Sequence, residues 1–198
     1  MTAEIVTCMA LDQNRGKRLQ FELVAQCAPF LKGMRRASVL NIEKEWVREL
    51  YRLIGPTDIS CRILVVRGNR CLALFYRKEG LREVLLKQGV RQFLLEYGYE
   101  DEELDQDITR LSVRMNRYSR DEITFPHEIG VFLDYPLEDV KAFIQNNGKE
   151  SLFTGYWKVY HNPKQAKLTF LAYDKARDSA VNEFLIGKAV SEIAKISA

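Results

Sequence analysis

Apolar residues recur three or four positions apart in several stretches of this chain, which is the spacing of one buried helix face. Residues that cap or break helices bound these stretches, for example Pro29 after the first and Gly98 after the third. The pattern predicts helices over residues 16–27, 43–54 and 79–97, from 104 to 118, from 136 to 146, and from 163 to about 187. The last stretch has an alternative, since residues 167–172 also fit a strand.

Two apolar runs, CRILVVR and RCLALFYR, flank Gly68-Asn69 and predict a β-hairpin with a two-residue turn. A regular register from this turn pairs Cys61 with Tyr76 and places Cys61 and Cys71 on opposite faces of the sheet, where no disulfide can join them. Both faces of the hairpin are apolar, so helices should cover both. Shorter strands are predicted at residues 37–42, 128–133 and 155–160.

These elements predict an α+β protein that forms a single domain over residues 1–198. Its sheet should be small, mixed or antiparallel, with a central hairpin at about residues 61–76 surrounded by several helices. The apolar content of 46% and the charged content of 29% are ordinary for a globular protein. No repeat, low-complexity tract or linker divides the chain.

Composition also narrows the cellular context. No apolar run approaches the roughly 20 residues of a membrane helix, and the first residues lack the pattern of a signal peptide. We therefore expect a cytoplasmic protein with no membrane partner and with reduced cysteines. The four cysteines lack metal-type spacing. Residues 1–98 carry 17 Lys/Arg against 10 Asp/Glu, but this basic excess is spread thinly without a nucleic-acid-binding motif, which disfavours nucleic acid as a partner.

The pair His127-Glu128 is the first candidate for chemistry. A histidine oriented by a carboxylate can act as a general acid or base, or can bind a metal. Adjacent residues of a regular strand point to opposite faces, so the sequence favours a structural His127. Cys27 is a weak candidate nucleophile, because it lies at the C-terminal end of a helix, where the dipole opposes thiolate formation.

The segment Tyr156–Tyr160, YWKVY, is the second candidate. Strand alternation places both tyrosines with Lys158 on one face, and Trp157 on the other. Ordinary sheet packing explains this pattern, with the tryptophan buried. The functional interpretation is an aromatic wall with a cation, suited to an anionic or planar ligand.

Several motifs together resemble an uncharacterised bacterial family. They are CAP at 27–29, GY at 98–99, FPHEIG at 125–130, YP at 135–136 and GYWKVY at 155–160. The chain resembles a domain-of-unknown-function family found mainly in anaerobic bacteria, and Asp134 departs from the glycine expected before Tyr-Pro. The resemblance implies a cytosolic single domain and no known activity. It also implies that six residues meet in one place: His127, Glu128, Tyr135, Trp157, Lys158 and Tyr160.

The leading hypothesis is a non-catalytic cytosolic domain that binds a small ligand or acts in regulation. Its site lies where the PHEIG and YWKVY segments meet, and a small anionic or aromatic ligand contacts Tyr135, Trp157, Lys158 and Tyr160. The alternative is a small enzyme that uses His127 and Glu128 in acid–base chemistry, with Cys27 as a nucleophile. A second alternative is metal or haem binding. The sequence does not specify the cofactor, the ligand or the oligomeric state.

Overall fold

The computed structural model describes residues 11–100 and 102–194. At its centre is an antiparallel sheet of three strands, β1 (Ala37–Glu43), β2 (Ser60–Arg67) and β3 (Arg70–Tyr76). The spatial order is β1-β3-β2, so β3 is the central strand and β2 lies at an edge. The predicted α+β class and the hairpin are confirmed, and the sheet is antiparallel throughout.

Helices surround this sheet and account for most of the remaining chain. In chain order they are α1 (Arg15–Leu31), α2 (Val47–Ile54), α3 (Lys78–Leu85), α4 (Gln88–Leu95), α5 (Leu104–Ser119), α6 (Ile129–Phe132), α7 (Leu137–Gln145), α8 (Pro163–Leu185) and α9 (Val190–Ile193). A 3-10 turn, Lys44–Trp46, precedes α2, and two two-residue strands, β4 (Phe153–Thr154) and β5 (Lys158–Val159), pair with each other. None of the helices in the described part of the chain has the length and apolar character needed to cross a membrane.

The sheet separates two hydrophobic clusters, as the two apolar faces of the hairpin predict. On one face, Ala73 and Phe75 pack with α1, α2, α8 and α9. On the other, Leu74 and Tyr76 pack with helices α3 to α7. Alternate residues of β3 thus enter opposite clusters, because successive side chains of a strand point to opposite faces. Helices α6 and α7, which lie between the PHEIG and YWKVY segments or within them, belong to the second cluster.

The predicted hairpin register is wrong beyond Leu64. The turn pairs Val66 with Cys71 as expected, but a β-bulge at Leu64 shifts the remaining pairs by one residue. Cys61 therefore lies opposite Phe75, on the same face of the sheet as Cys71. Both are free thiols.

The prediction of a strand at residues 128–133 is also wrong. Three successive i→i+3 hydrogen bonds begin at the carbonyls of Pro126, His127 and Glu128 and wind this segment into the short helix α6. All four residues of α6 are buried. A short helix that is buried on every side is apolar all round, so its composition alone does not distinguish it from a buried strand.

Other predicted boundaries need smaller corrections. Helix α1 continues through Pro29 to Leu31, because Phe30 and Leu31 are fully buried and their packing offsets the hydrogen bond that proline cannot make. The predicted helix over 79–97 is divided into α3 and α4. The predicted strand at 155–160 is reduced to β5. The alternative strand at 167–172 is wrong, since α8 is continuous there.

Candidate functional site

A cleft of about 560 Å³ lies between α6, α7, the β4–β5 segment and one face of the sheet. We call it the aromatic cleft, and residues 152–161 the flap. Its lining is mainly apolar and aromatic: Val39, Leu72, Phe125, His127, Ile129, Gly130, Leu133, Tyr135, Asp139, Val140, Phe143, Thr154, Gly155, Tyr156, Trp157 and Lys158. This volume falls in the roughly 300–1,000 Å³ range of pockets that bind small molecules.

One wall of the cleft is a row of rings centred on His127. The imidazole lies between Phe125 and Phe143, with ring centroids 5.1 and 4.9 Å away. Burial lowers the pKa of His127 below its ordinary value, so the ring is neutral at pH 7. Within the described residues its nitrogens make no hydrogen bond, and a neutral imidazole offers one donor and one acceptor. The wall therefore presents both an apolar surface and a polar group without a protein partner.

A second wall is formed by rings of the flap and by Tyr135. The ring of Trp157 lies 5.5 Å from that of Tyr135 at an interplanar angle of 32°, and its edge-on neighbour Phe170 lies 4.5 Å away. Gly155 permits this packing, because a Cβ atom there would lie 2.2 Å from a ring carbon of Phe170. The flap backbone thus approaches α8 as closely as a glycine allows.

Asp139 fastens the flap to α7. This buried carboxylate lies in the first turn of the helix, where the dipole favours a negative charge. Its Oδ2 accepts a hydrogen bond from the Trp157 indole at 2.7 Å, and its Oδ1 accepts from the backbone N–H groups of Tyr160 at 2.9 Å and His161 at 2.8 Å. The side chain joins both ends of the YWKVY segment to one point on the helix.

Lys158 brings a positive charge to the cleft. Its ammonium donates to the carbonyl of Gly148 at 2.6 Å and lies 5.8 Å from the centroid of the Phe143 ring. An ammonium has three donors, so two remain after this bond. No carboxylate of the described residues forms an ion pair with Lys158.

Tyr135 follows a turn in which Asp134 adopts a left-handed backbone conformation. Asp134 has a φ of 59°, in the left-handed region where glycine is the default and Asp is among the tolerated alternatives. The glycine expected here from the family resemblance would suit the same conformation. On the inner side, the buried guanidinium of Arg35 lies 5.1 Å from the Tyr135 ring and donates to the carbonyl of Leu133 at 2.5 Å.

The structure thus brings four of the seven sequence-predicted residues to the cleft, namely His127, Tyr135, Trp157 and Lys158. Tyr160 does not line it. Its backbone bonds to Asp139, and its hydroxyl is buried without a hydrogen bond in the described structure.

Glu128 and Cys27 do not line the cleft either. The Glu128 carboxylate is fully buried and accepts hydrogen bonds from Arg114 and from the Tyr99 hydroxyl, with none from His127. Cys27 lies in the hydrophobic cluster that includes α1, and burial raises the pKa of its thiol to about 11. The structure therefore shows neither a His127–Glu128 dyad nor a Cys27 thiolate.

Sequence reasoning missed Asp139 and the ring wall. Asp139 follows Glu138 at a helix N-terminus, which the helix dipole alone explains, so nothing local reveals three partners some 20 residues later. Phe143 falls on the apolar face of the helix predicted from 136 to 146, a pattern that indicates packing alone. Within residues 11–100 and 102–194, no group of three or more His, Cys, Asp or Glu side chains could hold a metal ion.

The fold and the cleft define an α+β protein with a small-molecule-sized aromatic cleft on one side of a three-stranded antiparallel sheet. The chain belongs to the family described as "Protein of unknown function (DUF3793)", whose model matches residues 23–194. The resemblance to an uncharacterised domain-of-unknown-function family is therefore confirmed. No curated protein and no solved structure matches the chain.

Proposed function

We propose that this protein is a cytosolic small-ligand-binding or regulatory domain, with the aromatic cleft as its binding site. The main support is the lining of the cleft, where apolar rings surround two polar groups, His127 and Lys158, whose hydrogen-bonding capacity is not fully used by the described residues. Small-molecule sites combine these features, because the apolar lining supplies affinity and a few polar groups set orientation.

The arrangement supports binding more than catalysis. An acid–base enzyme built on His127 needs a partner that orients the imidazole or activates a nucleophile within hydrogen-bond reach. Glu128 is occupied by Arg114 and Tyr99, and the thiol of Cys27 stays protonated at neutral pH. A cytoplasmic location is supported by three free thiols, those of Cys27, Cys61 and Cys71, since disulfides are rare there.

Fluorescence titration with 1-anilinonaphthalene-8-sulfonate tests the proposal. This probe should bind the folded protein saturably, with one molecule per chain. Thr154 is exposed and lines the cleft, so Thr154→Trp should fill the entrance and weaken binding by at least about tenfold. Leu152→Trp is the matched control, because Leu152 is 60% exposed on the same flap but does not line the cleft.

Two results would overturn the proposal. The first is the absence of saturable binding to wild-type protein that shows a cooperative thermal transition. The second is an equal effect of Thr154→Trp and Leu152→Trp, because the probe would then bind somewhere other than the cleft.

A further inference from the structure

The charges in the cleft distinguish among ligand classes. Lys158 is the one Lys or Arg among the described residues that line it, and its ammonium lacks a carboxylate partner. The one acidic residue of the lining, Asp139, has three N–H donors on its two oxygens, so it has little capacity left for a cationic ligand. The cleft therefore favours an anion over a cation.

A single cation also limits the charge of that anion. Phosphate groups are usually bound by several cationic side chains or by a series of backbone N–H groups, and their double charge is costly to bury beside one ammonium. A carboxylate carries one charge and is neutralised by one ammonium. His127, a neutral imidazole that also lines the cleft, can donate one additional hydrogen bond.

The two ring walls indicate the shape of the ligand body. Phe125, His127 and Phe143 form one wall of contacting rings in the lining, and Tyr135 and Trp157 form a second. Aromatic pairs in offset-stacked or edge-to-face arrangements contribute beyond the area they bury, and an alkyl chain lacks this contribution.

We propose that the aromatic cleft is selective for a flat aromatic monocarboxylate, whose ring lies between the two walls and whose carboxylate pairs with Lys158. This inference rests on the proposed function, since it assigns a ligand class to the same cleft. A free aromatic acid and the aromatic carboxylate of a larger molecule share this chemistry, and the cleft volume accommodates a bicyclic ring system.

Isothermal titration calorimetry with four probes tests the inference. They are 2-naphthoate, its neutral amide 2-naphthamide, the cation 2-naphthylmethylammonium, and octanoate as an aliphatic acid. With wild-type protein we expect 2-naphthoate to bind about tenfold tighter than 2-naphthamide, because one charge-assisted hydrogen bond replaces a neutral one. The ammonium probe and octanoate should both bind more weakly than 2-naphthoate.

Two variants isolate the charge. Lys158→Gln keeps a donor for the Gly148 carbonyl and removes the ammonium, so it should bring the ratio of naphthoate to naphthamide affinity close to one while naphthamide binding is retained. Lys149→Gln removes the same charge from an exposed neighbouring position and should leave the ratio unchanged.

The outcomes separate the two proposals. If no naphthyl probe binds wild-type protein and the sulfonate probe fails as well, the binding function itself is overturned. If naphthoate and naphthamide bind equally, or if Lys158→Gln leaves their ratio unchanged, the carboxylate assignment is overturned and the binding function stands. If octanoate binds as tightly as 2-naphthoate, the aromatic assignment is wrong.

Discussion

The hydrogen bonds of Asp139 give the most direct test of how the site is held together. Replacement by alanine removes the acceptor of the Trp157 indole and of the backbone N–H groups of Tyr160 and His161. The flap should then be held less tightly against α7, because the Lys158–Gly148 hydrogen bond and the ring contacts of Trp157 remain but the three hydrogen bonds to the helix are lost. We expect Asp139→Ala to lower stability and to weaken binding in the aromatic cleft.

The magnitude follows from the surroundings of the three donors. A hydrogen bond to a charged group contributes about 1.5–3 kcal/mol, and a lost partner costs most when the remaining donor stays buried. Trp157 and Tyr160 are partly exposed and His161 is exposed, so water can replace part of each bond. We therefore expect a loss of about 3 kcal/mol in the free energy of unfolding, near 1 kcal/mol per donor. For a chain of this size that corresponds to a fall in Tm of about 6–12 °C.

Glu138→Ala is the matched control, and thermal denaturation followed by circular dichroism is the assay. Glu138 precedes Asp139 in the same helical turn and is exposed, so its replacement loses only the dipole interaction of about 0.3–1 kcal/mol. Tryptophan emission should also change in Asp139→Ala, because the Trp157 indole loses its acceptor. If the two variants melt within about 2 °C of each other, the assignment of Asp139 as the anchor of the flap is refuted.

Three further predictions address other parts of the molecule. Hydrogen bonding with Lys32 lowers the pKa of Glu183 from 4.5 to about 2, so this pair stabilises the fold above pH 4.5 and the effect is lost as the pH falls toward 2. Urea titration should show that Glu183→Gln costs about 1 kcal/mol at pH 7 and less at pH 3, since the pair is partly exposed. Cys27 is fully buried and its pKa is raised from 9.0 to about 11, so peptide mass spectrometry should find iodoacetamide labelling at pH 8 at least about 100-fold slower in native than in unfolded protein. Gly155→Ala should destabilise the fold by about 2 kcal/mol in thermal denaturation and weaken probe binding, because the new Cβ meets the Phe170 ring.

Each of these predictions has a control or a contradicting result. If Glu183→Gln lowers the free energy of unfolding equally at pH 7 and pH 3, the charge of the Glu183 carboxylate does not stabilise the fold. Labelling of native Cys27 as fast as unfolded Cys27 would contradict its burial and revive the enzyme alternative. Gly16→Ala in α1 is the control for Gly155→Ala, because a Cβ at Gly16 would lie no closer than 3.4 Å to any atom. This variant should be neutral or stabilising by up to about 1 kcal/mol. If Gly16→Ala and Gly155→Ala lower the free energy of unfolding by similar amounts, the close approach of Gly155 to Phe170 is not what makes Gly155→Ala destabilising.

Short sequence patterns, such as turns, apolar stripes and helix caps, predicted much of the fold, because each one specifies a single element without help from distant residues. The Gly68-Asn69 turn determined the hairpin, and the stripe from Leu104 to Met115 determined α5. Asn162 and Pro163 marked the start of α8, where the Asn162 side chain accepts a hydrogen bond from the backbone of Gln165. In these elements the cap, the spacing and the turn chemistry all agree, which is the condition under which sequence specifies local structure.

The bulge in β2 shows what local reasoning could not reach. The Leu64 carbonyl, displaced from the regular ladder, accepts hydrogen bonds from the Ser112 hydroxyl at 2.7 Å and the Asn116 amide at 2.9 Å. These partners lie on α5, about 50 residues further along the chain. The sequence around Leu64 contains no signal that predicts them. A one-residue shift in register moves every side chain beyond the bulge to the other face, so the predicted face of Cys61 was wrong.

The candidate site depends both on local sequence signals and on contacts between residues distant in the chain. Residue type alone singled out His127, Trp157 and Lys158, because unusual polar and aromatic groups stand out against an apolar background. Their assembly depends on Asp139, whose partners lie 18 to 22 residues away, and on α6, whose helical form was not predicted. Asp139 thus contributes to the cleft by holding the flap against α7. If ligand selectivity resides in the flap, variants at Asp139 should alter naphthoate and naphthamide affinity together, whereas Lys158→Gln should alter their ratio.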